Sequence, residues 1–392
     1  MKKALEGIRI LDLTRLLPGS FGTQLLADYG AEVIKLEEPV VGDANRHYPP
    51  FYKTQSAFFL ALNRNKKSLT LNLKSNEGKE IFKELVKKVD ILTESFRPGV
   101  MDRLGLGYAV LRRINRRLIF CSLSGFGQSG PYRSKAGHDL NYISLAGLMS
   151  LMCPRNGAPV IPALPIADVA GGGLMMALGV LIAICARHRH GIGQRVDLSM
   201  LGGMLSLMTL QMATYLCEGK KFKKGETFLD GAYAFYNVYR TMDGRYIGLA
   251  ALEEKFWGNF CKAIEREDLI SQQFAKPSVQ EKLRSEVQSI FLKRTCQEWV
   301  DYFAGQDVCL EPVWELHEVV NHPQVKAQKM VVTIDHPTEG RIKQLGFPID
   351  FSETPGYVYI PSPGLGEHNE EYLAEVGYNS EDIERLREQG VI

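Results

Sequence analysis

Residues 8–36, IRILDLTRLLPGSFGTQLLADYGAEVIKL, decide the fold. Ile8 to Leu13 is a short apolar run, Ser20 to Tyr29 has helical spacing, and Ala31 to Leu36 is a second apolar run. Two strands joined through a helix run parallel, with the helix packed on a face of the sheet. The rhythm continues outward. Ser68 to Leu73 alternates with period two, Asn76 to Val89 reads as an amphipathic helix, and Asp90–Thr93 and Leu118–Leu123 read as further strands. The expected class is α/β, with a large Rossmann-like domain built on a parallel sheet. The turn after the first strand, Pro18-Gly19-Ser20-Phe21-Gly22, lacks the GxGxxG spacing, which disfavours a nicotinamide cofactor.

The chain beyond has a different texture. Residues 138–218 are rich in Leu, Met, Ala and Gly and read as packed helices. Residues 219–232 are basic and contain glycine, as a linker does. Phe235 to Ala250 reads as a hairpin turning at Asp243-Gly244, residues 253–305 read as helical, and Gly340–Gly346 and Pro355–Pro363 as turn-rich chain. Glu370 to Gln389 reads as a solvated terminal helix. At 392 residues the prior is two domains. The expected division is a large domain over 1–218, the linker 219–232, a small α+β domain over 233–330, and a return segment, 331–392, completing the large domain.

Composition removes several function classes. Lys and Arg number 47 against 45 Asp and Glu, a net charge of +2, so a dedicated nucleic-acid binder is disfavoured, although local basic clusters are compatible with it. The seven cysteines are scattered without a CxxC pair, as expected of reduced thiols in a cytoplasmic protein without a metal site. The N-terminus runs into a strand pattern without an uninterrupted apolar signal core. Val169 to Ala186 has the length and apolarity of a membrane span, but Asp168 before it and Arg187-His188-Arg189-His190 after it suit a buried helix equally well.

Three places could carry chemistry. Gly137-His138-Asp139-Leu140 stands between a basic, turn-rich stretch and an apolar helix, where Asp139 suits a helix cap and a lone His is more often structural. Asp168 closes the apolar run Pro165-Ile166-Ala167 and opens onto Gly171-Gly172-Gly173. That makes it either an N-cap or a carboxyl tuned by burial. Glu253 follows a strand pattern, where a solvated helix start is the default. Two basic runs, Asn63–Lys67 and Glu94–Arg103, flank strands. The second lies at a strand's carboxyl end, where open α/β sheets bind ligands, and it brings Arg97 and Arg103 as phosphate partners or as plain surface charge.

Over essentially its whole length the chain resembles the family III CoA-transferases, which include formyl-CoA transferase, the carnitine CoA-transferases and α-methylacyl-CoA racemase. The resemblance rests on LEGIRILDLT (5–14), GAEVIKLE (30–37), NRNKKSLTLNLK (63–74), ESFRPGV (94–100), SGFGQSGP (124–131), GIGQRVD (191–197) and GEH (366–368). It implies a large α/β domain made from both chain ends, a small domain on linkers, and an interlocked homodimer. It also implies coenzyme A brought in as part of an acyl-CoA substrate, with no permanently bound cofactor, no metal, and neither nucleic acid nor membrane as partner.

Within that resemblance the chain looks most like the α-methylacyl-CoA racemases. His138 and Asp168, 30 residues apart, match the pair that removes and returns the α-proton from opposite faces of the substrate. Glu253, in Ala250-Ala251-Leu252-Glu253, matches the small-domain carboxylate that pairs with the His from the other chain of the dimer. The Asp139 N–H is the implied enolate donor, and Gly137, Arg97, Arg103, Lys66 and Lys67 the implied CoA contacts. Leu17-Pro18-Gly19 also resembles the racemases, since formyl-CoA transferases have a Gln in that stretch. The alternative within the family is CoA transfer between carboxylic acids, with Asp168 as nucleophile through an aspartyl-CoA thioester. Glu38 stands where some transferases have a CoA-binding Arg, and Gly231-Ala232-Tyr233-Ala234 departs from the commoner Gly-Gly-Ala-Pro. The acyl group therefore does not carry over. The Met-rich segment, Met149 to Met208, suits core filling better than an acyl-chain surface.

Overall fold

The structure is a computed structural model and describes residues 2–152, 157–221, 227 and 229–392. Cys153 and most of the expected 219–232 linker lie outside the described residues. The chain divides into two compact units, one of residues 1–146, 162–209 and 323–392, the other of residues 147–161 and 210–322. These bounds differ from the expected ones at 147–161, 210–218 and 323–330.

The first unit is built on six parallel strands: β1 (Arg9–Leu13), β2 (Glu32–Glu37), β3 (Lys66–Thr70), β4 (Ile91–Glu94), β5 (Ile119–Ser124) and β6 (Arg195–Ser199), in the order β3-β2-β1-β4-β5-β6. The order reverses between β1 and β4, and the crevice beyond the carboxyl ends of those two strands is where such sheets bind ligands. Register sets Leu11 beside Ile34 and Leu92, and Leu13 beside Glu94. Ile10, Leu11, Ile34, Ile91, Leu92 and Ile119 are all fully buried, as a sheet covered on both faces requires.

The sequence anticipates five of these strands, with β3 starting two residues before the alternating run. It misses β6, whose Arg195-Val196-Asp197-Leu198-Ser199 lacks a long apolar run because it is an edge strand and half exposed. The terminal segment forms two helices, Asn369–Glu375 and Ser380–Glu388, separated by Gly377 at φ +98°. They are not simply solvated: Tyr372, Leu373, Ile383 and Leu386 join Leu11, Ile34, Leu69 and Leu92 in the main core. Chain that follows the second unit in sequence thus completes the first unit's core. The stretch expected to be turn-rich instead holds an antiparallel hairpin, β10 (Val331–His336) with β11 (Gly340–Leu345), packed on Leu60.

The apolar segment around Val169 forms a 24-residue helix, Ala167–His190, long and apolar enough to cross a membrane. Met176, Ala177, Val180 and Ala183 face protein, and the helix packs on β5, β6 and the helix Leu16–Asp28. Leu174, Leu178, Leu181 and Ile182 stand exposed on its other side.

The second unit has its own core. The expected hairpin forms as β7 (Tyr236–Arg240) and β8 (Tyr246–Ala250), extended by β9 (Leu310–Pro312). The helices Glu254–Ala263, Pro277–Phe291 and Cys296–Phe303 bring Trp257, Phe260, Phe291, Trp299 and Phe303 together.

Candidate active site

A ligand crevice needs a stiff floor, and here buried charges provide it. Asp12, at the end of β1, is fully buried. It accepts hydrogen bonds from the Thr14 N–H (2.9 Å) and Oγ1 (2.6 Å), Thr23 Oγ1 (2.6 Å), Thr93 Oγ1 (3.1 Å) and Lys66 Nζ (3.3 Å). One carboxylate thereby ties β1, β3, β4 and the helix Leu16–Asp28. Burial alone would raise its pKa, but Lys66 and Lys35 outweigh burial and hold it below the ordinary carboxylate range. Lys35 pairs with Asp43 at 2.8 Å, and Asp43 Oδ1 accepts from the Asn45 N–H at 2.9 Å. Glu37 takes a two-pronged contact from Arg46 at 2.7 and 2.8 Å and a hydrogen bond from Ser68 Oγ at 2.7 Å. This network fixes the segments that carry Arg15–Pro18 and Asn45.

Above that floor lies a cavity of about 530 Å³, lined by Arg15–Pro18 after β1, Ser95–Pro98 after β4, and Leu123–Phe126 at and after β5, with Arg133, Lys135, Gly137, His138, Tyr142 and Asp168. It occupies the crevice at the topological switch. Of the expected residues it brings together His138, Asp168, Gly137 and Arg97. A second cavity of about 270 Å³ shares Arg15 and Phe96 with the first and continues between Leu36, Leu71, Leu73, Val100 and Leu104.

Asp168 is half-buried at the start of a π-helical stretch, Ala167–Leu174. Its backbone N–H donates to Asp139 Oδ1 at 3.0 Å, so the Asp139 side chain caps the turn that carries Asp168. Burial pushes the Asp168 carboxyl up to about 6, and the neighbouring Asp139 adds to the rise while His138 opposes it. Glycine is required beside it. A Cβ on Gly171 would meet Met200 O at 2.8 Å, one on Gly203 would meet Gly171 O at 1.9 Å, and one on Gly173 would meet Pro18 O at 2.7 Å. The three-glycine run therefore lets the Asp168 turn press against its neighbours.

His138 is exposed on the cavity wall at the head of the helix Asp139–Leu145. Its backbone N–H donates to Asn141 Oδ1 at 3.0 Å, and Tyr142 Oη donates to Gly137 O at 2.6 Å. Tyr142 also lies edge-on to Phe126, and burial with the nearby Asp168 and Asp139 pushes its phenol up to about 12. These contacts fix the Gly137-His138 turn.

The remaining expected residues are elsewhere. Lys66 is a correction to the expected CoA contact. It is wholly buried, its ammonium is held by Asp12, Thr23 Oγ1 and Ser20 O, and burial pulls its pKa down to about 8, so it serves the floor of the site and has no face to offer a ligand. Lys67 points the other way, paired with Glu371 of the terminal helix. Arg103 is exposed beside Gly99 and is not among the residues lining the cavity. Glu253 is exposed and precedes the helix Glu254–Ala263 in the second unit. Sequence reasoning missed Arg15, Arg133 and Lys135 in the cavity wall. It also missed Glu94, whose buried carboxyl is pushed up to about 7 and accepts from the Phe96 N–H at 2.8 Å. The signal for Glu94 was a carboxylate closing a strand whose next residues line the crevice.

Comparison with known proteins bears on this geometry. The model of CoA-transferase family III matches residues 5–369. The human alpha-methylacyl-CoA racemase is 36% identical over 99% of this chain and 97% of its own length. The mouse succinyl-CoA:glutarate CoA-transferase is also 36% identical, over 100% of this chain and 90% of its own length. The crystal structure of a CAIB/BAIF family protein from Brucella suis superposes with a TM-score of 0.83 at 30% identity, covering 96% of this chain and 100% of that one.

Proposed function

The chain belongs to CoA-transferase family III, and on that footing we propose that it interconverts the two epimers of 2-methylacyl-CoA thioesters by α-proton abstraction and return. Relatives with racemase and transferase names match at the same identity, so overall similarity does not choose between the reactions. The supporting observation is that His138 and Asp168 both line the one cavity, with the Asp168 carboxyl raised to about 6. A carboxyl raised toward neutrality suits two-way proton transfer, because it must serve as donor in one direction and acceptor in the other.

In this reading one of the pair takes the α-proton and the thioester carbonyl becomes an enolate. The Asp139 N–H, at the head of its helix, steadies that charge. The other group then delivers a proton to the opposite face. No bond to the enzyme forms. Glu253, contributed by the partner chain of an interlocked homodimer, orients His138. The exposed face of the Ala167–His190 helix, with Leu174, Leu178, Leu181 and Ile182, supports such an assembly, since a contiguous apolar face is costly in water. Arg97, Arg15, Arg133 and Lys135 would meet the CoA phosphates, with Arg103 at the rim. The smaller cavity, where Arg15 lies over the Phe96 ring at 5.0 Å, suits the nucleotide end. The protein would work in the cytoplasm without a resident cofactor. The second reading uses Asp168 as nucleophile for CoA transfer, and the transferase relatives support it.

Incubating the protein with (S)-2-methylacyl-CoA in D2O, with no acceptor acid, separates the two. Racemisation predicts deuterium at the α-carbon with loss of stereochemical purity. It also predicts that His138→Ala lowers exchange by about 10²–10⁴-fold while acyl-CoA affinity holds. Absence of exchange, with CoA moving to an added carboxylate, would make the protein a transferase.

A further inference from the structure

The amino ends of the same strands carry charge of another kind. The segment Tyr108-Ala109-Val110-Leu111-Arg112-Arg113-Ile114-Asn115-Arg116-Arg117-Leu118 leads into β5, and Arg187-His188-Arg189-His190-Gly191-Ile192-Gly193-Gln194 leads into β6. Neither contains an Asp or Glu. The fold joins them. Arg117 Nη1 donates to Gly191 O at 3.0 Å, and the Gly193 N–H donates to Arg116 O at 3.0 Å. Arg187, buried beneath, pairs with Asp90 at 2.8 Å. Arg112, Arg113, Arg116, Arg117, His188, Arg189 and His190 are exposed, and among the described residues none of them forms an ion pair. Glu84, on the adjoining helix, is paired with Lys87.

One further residue gives the patch its character. Ile192 is 59% exposed at the tip of the turn, between Gly191 (φ +74°) and Gly193. Gly193 has to be glycine, since a Cβ there would meet Leu118 O at 2.1 Å. The turn thus holds one aliphatic side chain outward beside Arg116 and Arg117, which bond to its flanking glycines.

We infer that this edge of the first unit is a docking surface for an anionic lipid membrane. Arginines at that surface gain from the negative headgroup potential, and an exposed aliphatic tip enters the headgroup–acyl boundary. A single-stranded nucleic acid would ask for aromatic stacking platforms, and the two segments hold no Phe or Trp and only the half-buried Tyr108. The patch and the cavity lie at opposite ends of β5, six residues and about 20 Å apart, so docking leaves the crevice free. The inference does not rest on which reaction the site performs. The overall charge gives no hint of it, because the cluster is assembled from segments some 70 residues apart and balanced by acid elsewhere.

Cosedimentation of the full chain with phosphatidylserine–phosphatidylcholine vesicles, against pure phosphatidylcholine vesicles, tests it. Binding is expected to the anionic vesicles alone, strongest at low salt. Each surface arginine contributes about fivefold, so Arg113→Glu/Arg116→Glu/Arg189→Glu, which remove three cations and add three repelled carboxylates, should together weaken binding by at least about a hundredfold. Lys282→Glu, on the second unit, should leave it unchanged. The single Ile192→Ser variant, which keeps every charge, should weaken vesicle binding several-fold. Acyl-CoA turnover in solution and the melting temperature should hold in all of them. No binding to anionic vesicles at low salt, equal binding to neutral ones, retention by the triple variant, or RNA binding tighter than vesicle binding and indifferent to Ile192→Ser would each overturn the inference.

Discussion

The two ends of one parallel sheet treat charge in opposite ways. Toward the carboxyl ends of β1 and β2, Asp12, Lys35, Glu37, Asp43 and Arg46 are drawn inside or nearly so, and each is matched, Asp12 by the Lys66 ammonium that reaches it from the start of β3. At the amino ends, Arg112, Arg113, Arg116, Arg117 and Arg189 stand in water without ion-pair partners among the described residues. A buried charge must be compensated or it is not tolerated, so its partners become fixed points of the structure. An exposed charge is shielded by solvent and stays free to meet a large anionic surface. The same residue types therefore provide rigidity at one end and reach at the other.

The sharpest way to break this contrast is to orphan one of the buried charges. Asp12→Ala would leave the Lys66 ammonium fully buried without its carboxylate and would free Thr14, Thr23 and Thr93 together. The expected loss is about 3–5 kcal/mol of unfolding free energy, measured by urea titration. If Asp12→Ala unfolds with an unchanged midpoint, the buried network is not the fixed frame described above.

A smaller effect of opposite sign is expected at Asp168. Its folded pKa, about 6, is above the ordinary value of 3.8, so the ionised form is disfavoured by folding. That cost is absent at low pH, where the carboxyl is protonated in both states. It grows as pH rises from about 4 and is complete above about 6. Asp168→Asn should therefore raise stability at pH 7.5 by on the order of 1 kcal/mol, discounted for partial exposure, and by much less at pH 4.5. Thermal melts at the two pH values check the sign, and the same variant should lose the reaction. The smallest effect belongs to the other end of the sheet. Arg113→Ser should change stability by no more than about 0.5 kcal/mol at any salt concentration.

The sequence shows the frame of this molecule where periodicity is strong and hides it where packing decides. Ile10, Leu11, Ile34 and Leu92 announce a two-sided parallel sheet because both faces of their strands are covered. The π-helical turn at Ala167–Leu174 has no periodic signature, and only Gly171–Gly173 hint at close approach. His138, Asp168, Gly137 and Arg97 are legible through the family's motifs, and the structure sets them around one cavity. Lys66 misleads, because a lysine in a basic run looks solvent-facing until β3 turns it inward onto Asp12. Arg15 comes from one loop and Arg133 and Lys135 from another, and nothing local in the chain says that those loops meet. The terminal helices look like a solvated tail because their apolar residues are few, yet Tyr372 and Leu373 are wholly buried in the main core.

The π-helical turn also has a mechanical meaning. The helix Met175–His190 is locked in rotation by its packing on β5 and β6, whereas Asp168 must face the crevice. A regular α-helix advances about 100° per residue, so the two requirements need not coincide in phase. One wider turn between them absorbs the mismatch, as a shim sets the timing between two gears. The aim of the acidic group is thus adjustable independently of the scaffold. A chain of this fold can point that side chain differently by gaining or losing a single residue in the turn, without repacking the sheet.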